Sequence, residues 1–110
     1  DTKETSPVKL SETLTVCPDE NNVYYYHGIP TEAGTVMQVT NYSETGIRKV
    51  IADLKAKVGN NFTIVIKPTK KAKYRNMIDM LDECAITNNK RYALLEIDPD
   101  TEALIKRSGK

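Results

Sequence analysis

Acidic residues at helical spacing are the first candidates for chemistry in this chain. Asp79, Asp82 and Glu83 stand three and four residues apart, which gathers carboxylates where a hard cation or a shared proton could sit. The same spacing describes an ordinary solvated helix face, and that is the expected role. Asp98, Asp100 and Glu102 copy the opening of a calcium loop, but the glycine it requires is missing and the stretch is too short. His27 is the only histidine and ends a tyrosine-rich run; with no Ser or Cys near it in sequence, it is expected as an exposed polar residue. The glycines at 28, 34, 46, 59 and 109 form neither a phosphate loop nor a dinucleotide fingerprint. Asn41-Tyr42-Ser43 and Asn61-Phe62-Thr63 match the glycosylation acceptor pattern, which also arises by chance. Cys17 and Cys84 are expected as two buried free thiols, with one disulfide as the alternative. No enzyme, no metal and no cofactor is expected.

Charge placement says more. Lys67, Lys70, Lys71, Lys73 and Arg75 crowd the start of one predicted helix, while Asp79, Asp82 and Glu83 lie toward its end. The macrodipole favours the reverse, by about 0.3–1 kcal/mol per well-placed charge. Such a conflict can mark a binding surface. The plainer explanation, pairing with neighbours or simple solvation, is slightly preferred. A net charge of +1 and the acidic half of the helix argue against a nucleic-acid patch.

Residues 92–97 carry the second feature. Tyr92, Leu94 and Glu96 point one way, Ala93, Leu95 and Ile97 the other. At the edge of a sheet this strand would offer free backbone groups to an extended peptide or a second copy. In the interior it would be paired on both sides, and periodicity does not choose between the two. Tyr24-Tyr25-Tyr26 poses the same question.

These residues need a scaffold, and the stretch 62–97 supplies its centre. Phe62 to Ile66 is an apolar, β-branched strand ended by Pro68, and Thr69 is placed to cap a helix from Lys70 to about Thr87. Tyr74, Met77, Ile78, Leu81 and Ala85 form its expected buried stripe, with Asn88 and Asn89 at its end. A parallel partner strand follows. Upstream, residues 1–9 read as a tether, Leu10–Val16 as a half-buried strand, and Val23–His27 as its hairpin partner. Residues 28–40 read as a loop with a short extended piece at Val36–Val39. A helix capped near Asn41–Ser43 buries Ile47, Val50, Ile51, Leu54 and Val58 and stops at Gly59. Pro99 to about Lys106 is a short helix with Leu104 and Ile105 inward, and 108–110 is a loose tail. At 110 residues this is one α+β domain in the order β-β-α-β-α-β: a two-layer sandwich, two helices on one face of a small mixed sheet.

The run Val65-Ile66-Lys67-Pro68-Thr69-Lys70-Lys71-Ala72-Lys73-Tyr74-Arg75-Asn76-Met77-Ile78-Asp79-Met80-Leu81-Asp82-Glu83, with Lys90-Arg91-Tyr92-Ala93-Leu94, resembles the periplasmic domain of the ExbD/TolR family, in its Bacteroidetes-type form. The hairpin, Tyr42-Ser43 and Gly46-Ile47-Arg48-Lys49-Val50 extend the resemblance over roughly residues 10–107. It implies a biopolymer-transport accessory protein of the Ton system, the periplasmic part of an inner-membrane protein held by one membrane helix. Members dimerise, sit with ExbB, and couple the proton-motive force to TonB and outer-membrane nutrient uptake; the TolR branch binds peptidoglycan. The family's proton-carrying Asp belongs to the membrane helix, so no acid here inherits that role. The chain opens at Asp1, as expected of a processed protein or a piece of a longer one. The expected partner surface is Arg91, Tyr92, Leu94 and Glu96 with Lys70, Lys71 and Lys73 beside them. Arg91→Glu or a proline at 94 should then abolish binding. A small RNA-reading domain would share the strand–helix alternation but needs exposed aromatics among basic residues, at which only Tyr24–Tyr26 hints, and a small hydrolase needs a convergent nucleophile, base and oxyanion site, which the residue inventory disfavours.

Overall fold

The apolar run before Pro68 becomes strand β4 (Thr63–Ile66) in the computed structural model, which describes residues 12–28 and 35–108. On one side β4 pairs in parallel with β1 (Thr13–Pro18), Thr13 opposite Thr63 and Val16 opposite Ile66. On the other it pairs in parallel with β5 (Tyr92–Leu94), Ile64 opposite Tyr92 and Ile66 opposite Leu94. β1 forms the expected antiparallel hairpin with β2 (Val23–His27), and β3 (Gln38–Thr40) lies antiparallel outside β2. The five-stranded mixed sheet thus runs β3-β2-β1-β4-β5, with β5 at one edge.

Helices α1 (Ile47–Val58) and α2 (Tyr74–Ile86) cover one face, as predicted. There Leu14, Val16, Val23, Ile64 and Ile66 pack with Phe62, Ile47, Ile51, Met80 and Cys84. A third helix, α3 (Pro99–Arg107), lies on the opposite face, where Leu104 meets Cys17, Tyr26 and Met37. Covered from both sides, all six residues of β1 are buried, where the alternation at Leu10–Val16 predicted a half-buried strand. Leu10 and Ser11, the tether at 1–9, loop residues 29–34 and tail residues 109–110 lie outside the described residues.

The two thiols belong to different cores, Cys84 under α2 and Cys17 under α3. Both are free and buried, with the sheet between them, so the disulfide alternative falls away. Burial pushes the Cys17 thiol up to about 12 and Cys84 up to about 11, which leaves both as unreactive apolar groups.

Three local expectations change. Asn41 does not cap α1; its Oδ1 accepts from the Ser43 amide at 3.0 Å in a turn, and the helix starts after Gly46. A Cβ at Gly46 would meet the Asn41 carbonyl oxygen at 2.6 Å. Gly46→Ala is therefore expected to cost about 1–3 kcal/mol, read as a lowered melting temperature; an unchanged Tm would show that the turn yields freely. Thr69 likewise is not the cap of α2. Its hydroxyl bonds Asp19, its amide donates to Pro18 O at 2.9 Å, and the helix begins at Tyr74 after Lys73. Asn76 closes that end, accepting from the Lys73 amide at 2.7 Å.

The third change matters most. The residues α2 buries are Asn76, Met80, Glu83 and Cys84, about a third of a turn from the predicted stripe. Asn76 enters because its Nδ2 donates to Glu20 O at 3.1 Å. Glu83 enters because Arg48 grips it with two bonds, of 2.8 and 3.1 Å. Tyr74 is 81% exposed, and Ile78 and Ala85 are exposed too. The end of α2 follows prediction: Asn88 takes φ 59, and the Asn89 amide closes onto Cys84 O at 2.8 Å.

Candidate functional site

Among the described residues β5 has a neighbour on one side only. The Ile64 amide donates to Arg91 O and the Leu95 amide to Ile66 O, both at 2.9 Å. Backbone groups of residues 91, 93 and 95 therefore face β4, and strand alternation turns those of Tyr92, Leu94 and Glu96 outward. All three residues of β5 are exposed, although their sequence, Tyr-Ala-Leu, is that of a strand that packs. Apolar groups left in water beside an open sheet edge form the surface on which another strand can be laid.

α2 supplies the floor beside that edge. Met77 borders a groove with Pro68, Lys70, Leu94 and Glu96. Leu81 and Ala85 border the next hollow, with Lys90 and Tyr92. Three of the five residues predicted as the core stripe, Met77, Leu81 and Ala85, thus line surface grooves along β5, and of these Leu81 also packs against the core. Eight large apolar side chains are exposed among the described residues, and six belong to α2, β5 or Leu95: Tyr74, Ile78, Ile86, Tyr92, Leu94 and Leu95. That concentration exceeds the single scattered apolar residues normal on a surface.

The residues predicted for the partner surface do not all meet. Leu94, Glu96 and Lys70 share one groove, and Tyr92 lines its continuation. Arg91 turns toward β4, its Nε donating to Thr63 Oγ1 at 3.3 Å. Lys73 reaches away to Glu20 at 3.1 Å, while Lys70 reaches Glu102 at 3.5 Å. Lys71 has no ion pair among the described residues. With Lys67 bound to Asp98, three of the five cations crowded before and into α2 are paired. Pairing with neighbours accounts for most of the conflict with the macrodipole.

The acidic candidates also resolve into structure. Asp79 and Asp82 are solvated, and Glu83 is buried against Arg48. Asp98 caps α3, its Oδ1 accepting from the Thr101 amide at 2.7 Å and its Oδ2 from Lys67. Burial pushes the Asp98 carboxyl up, but the bonds from Lys67 and Thr101 outweigh it and hold the group below its ordinary 3.8. Burial pulls Lys67 down, and Asp98 outweighs it to hold the ammonium above 10.5. A depressed carboxyl contributes stability above its unfolded value, lost as pH falls through the folded one; a raised lysine contributes below its unfolded value, lost as pH rises. The α3 clasp should be firmest between 3.8 and 10.5. Asp98→Asn should loosen α3 at neutral pH and remove the acid-side loss, seen as faster exchange of the Thr101 amide. Equal exchange in both proteins would assign the docking to Leu104 and the Tyr26–Thr101 bond instead.

Among the described residues no group of His, Cys, Asp and Glu could hold a metal ion, and no helix is long and apolar enough to cross a membrane. No protein-family model, curated protein or solved structure matches the chain.

Proposed function

We propose that this chain is a partner-recognition domain of the ExbD/TolR type, which takes an extended segment of another protein onto the free edge of β5. One observation carries this reading: Tyr92, Leu94 and Leu95 are exposed along β5, beside backbone groups that have no partner strand among the described residues, and Met77, Leu81 and Ala85 of α2 line the grooves next to them. A strand added there gains hydrogen bonds from residues 92, 94 and 96, and its alternate side chains enter the groove beside Met77 and Leu81. In the setting the resemblance implies, the domain stands in the periplasm at the end of one membrane helix. ExbB surrounds that helix, and a segment of TonB is the incoming strand. The domain's share in the work is then mechanical: it holds TonB while proton flow in the membrane drives movement.

The competing reading within the family is a cell-wall anchor. Titrating the domain with a labelled extended segment of TonB, and separately pelleting it with purified peptidoglycan, distinguishes them. We expect saturable binding to the TonB segment and no co-sedimentation. Co-sedimentation without peptide binding would overturn the TonB assignment and leave the TolR-like function.

A further inference from the structure

We infer that the end of the sheet where the chain enters β1 docks on an anionic membrane surface, with Lys90 and Arg91 holding phosphate headgroups. In the setting proposed above a membrane helix leads into this end, and the docking rests on that reading. Strand register fixes which residues gather there. β1, β4 and β5 are parallel, so their starts lie side by side: Thr13 stands opposite Thr63, and the Ile64 amide donates to Arg91 O at 2.9 Å. Glu12, where the chain enters, accepts from Asn61 Nδ2 at 3.4 Å. α1 leads directly into β4 and α2 into β5, so both helices also finish at this end.

A hollow of about 300 Å³ opens here, lined by Lys55, Asn60, Asn88, Asn89, Lys90 and Arg91 beside the buried Phe62. No Asp or Glu lines it, nor the adjoining hollow that shares Lys55, Gly59 and Asn60 with it. Its three cations have only neutral partners among the described residues. Lys55 Nζ donates to Thr87 O at 3.0 Å and to Asn88 O at 2.8 Å, and Arg91 Nε donates to Thr63 Oγ1 at 3.3 Å. Lys90 has no ion pair among the described residues. Carbonyls at the end of α2 repel an anion, but Lys55 already answers them, which leaves the charges of Lys90 and Arg91 uncompensated. At the opposite end of the sheet Lys67, Lys70 and Lys73 each hold a carboxylate. A net charge of +1 thus conceals a one-sided distribution. Exposed Ile86 lines the adjoining hollow with Ala52 and Ala56, and an apolar side chain beside cations suits the boundary between headgroups and acyl chains. The outward edge of β5 begins at this end and runs away from it, so headgroup binding leaves Leu94 and Glu96 open to a partner strand.

Flotation of the wild-type chain with lipid vesicles is the test. We expect binding at millimolar lipid to phosphatidylcholine vesicles that carry phosphatidylglycerol, none to phosphatidylcholine alone, and release when the salt is raised. Lys90→Gln combined with Arg91→Gln should weaken binding about thirtyfold, at about fivefold for each charge lost. Lys71→Gln combined with Arg75→Gln removes as much charge from the opposite end and should leave vesicle binding almost unchanged. Circular dichroism checks that both double variants stay folded. Equal losses in the two would overturn the placement, and a wild-type chain that ignores anionic vesicles would overturn the docking. Release by millimolar inorganic phosphate, but not by chloride of equal ionic strength, would make free phosphate the ligand and overturn the lipid assignment. The TonB segment is titrated into the same protein without vesicles: its failure to bind would remove the partner reading and leave the vesicle result standing.

Discussion

Replacing Leu94 by proline is expected to abolish binding of an extended partner, with affinity falling at least about a hundredfold, or about 3 kcal/mol. Three losses combine. The outward amide of Leu94 no longer donates, and that bond contributes about 1 kcal/mol. The partner carbonyl it served is left unsatisfied in a closed groove, at about 1–3 kcal/mol. The leucine side chain also leaves the groove wall shared with Met77. The domain should stay folded, because the bonds to β4 are made by residues 91, 93 and 95 and edge strands tolerate proline where the amide faces solvent. Leu94→Thr, which keeps the amide, should show a smaller loss. Arg91→Glu is the weaker probe, since that side chain turns to Thr63. Isothermal titration alongside thermal melting checks these outcomes; full binding by the proline variant would remove β5 from the interface.

The largest effect on stability is expected at Arg48. Its guanidinium holds Glu83 through bonds of 2.8 and 3.1 Å, and the Glu83 side chain is only 7% exposed. Arg48→Ala leaves that carboxylate buried without its partner and should lower the urea midpoint clearly. Arg48 is itself one-third exposed, so water reaching the site puts the cost at the lower end of the range for buried pairs. Replacing both residues together, Arg48→Leu with Glu83→Leu, should be close to neutral, since apolar groups then fill the gap between α1 and α2. Urea unfolding of the two singles and the double separates these cases. A single variant as stable as wild type would mean that Glu83 escapes to solvent.

Much of this fold was legible because local signals agreed. In α1 the stripe Ile47, Val50, Ile51, Leu54, Val58 and the glycine stop gave one answer, and all five residues pack against the core. At the end of α2, the turn at Asn88 and Asn89 appeared where asparagine permits it. What stayed hidden depends on partners distant in sequence. Asn76 and Glu83 look like solvent-facing residues until Glu20 and Arg48 are brought beside them. Their burial rotates α2 and leaves its more apolar side uncovered. The edge position of β5 was equally unreadable, because a period of two fixes which residues share a face and says nothing of neighbouring strands. Leu104 and Ile105 showed that the last helix packs inward; nothing in its spacing showed which face of the sheet it covers. The candidate site thus emerged where the helical prediction failed: the stripe was correctly seen as apolar, and its misplacement exposed a groove.

Amide exchange along β5 tests the central claim most directly. In dilute protein, the amides of Ala93 and Leu95 should be protected by β4, while those of Tyr92, Leu94 and Glu96 exchange freely. Addition of the extended partner segment should slow those three and leave 93 and 95 unchanged. Saturating partner with no gain in protection at residues 92, 94 and 96 would contradict strand addition at this edge.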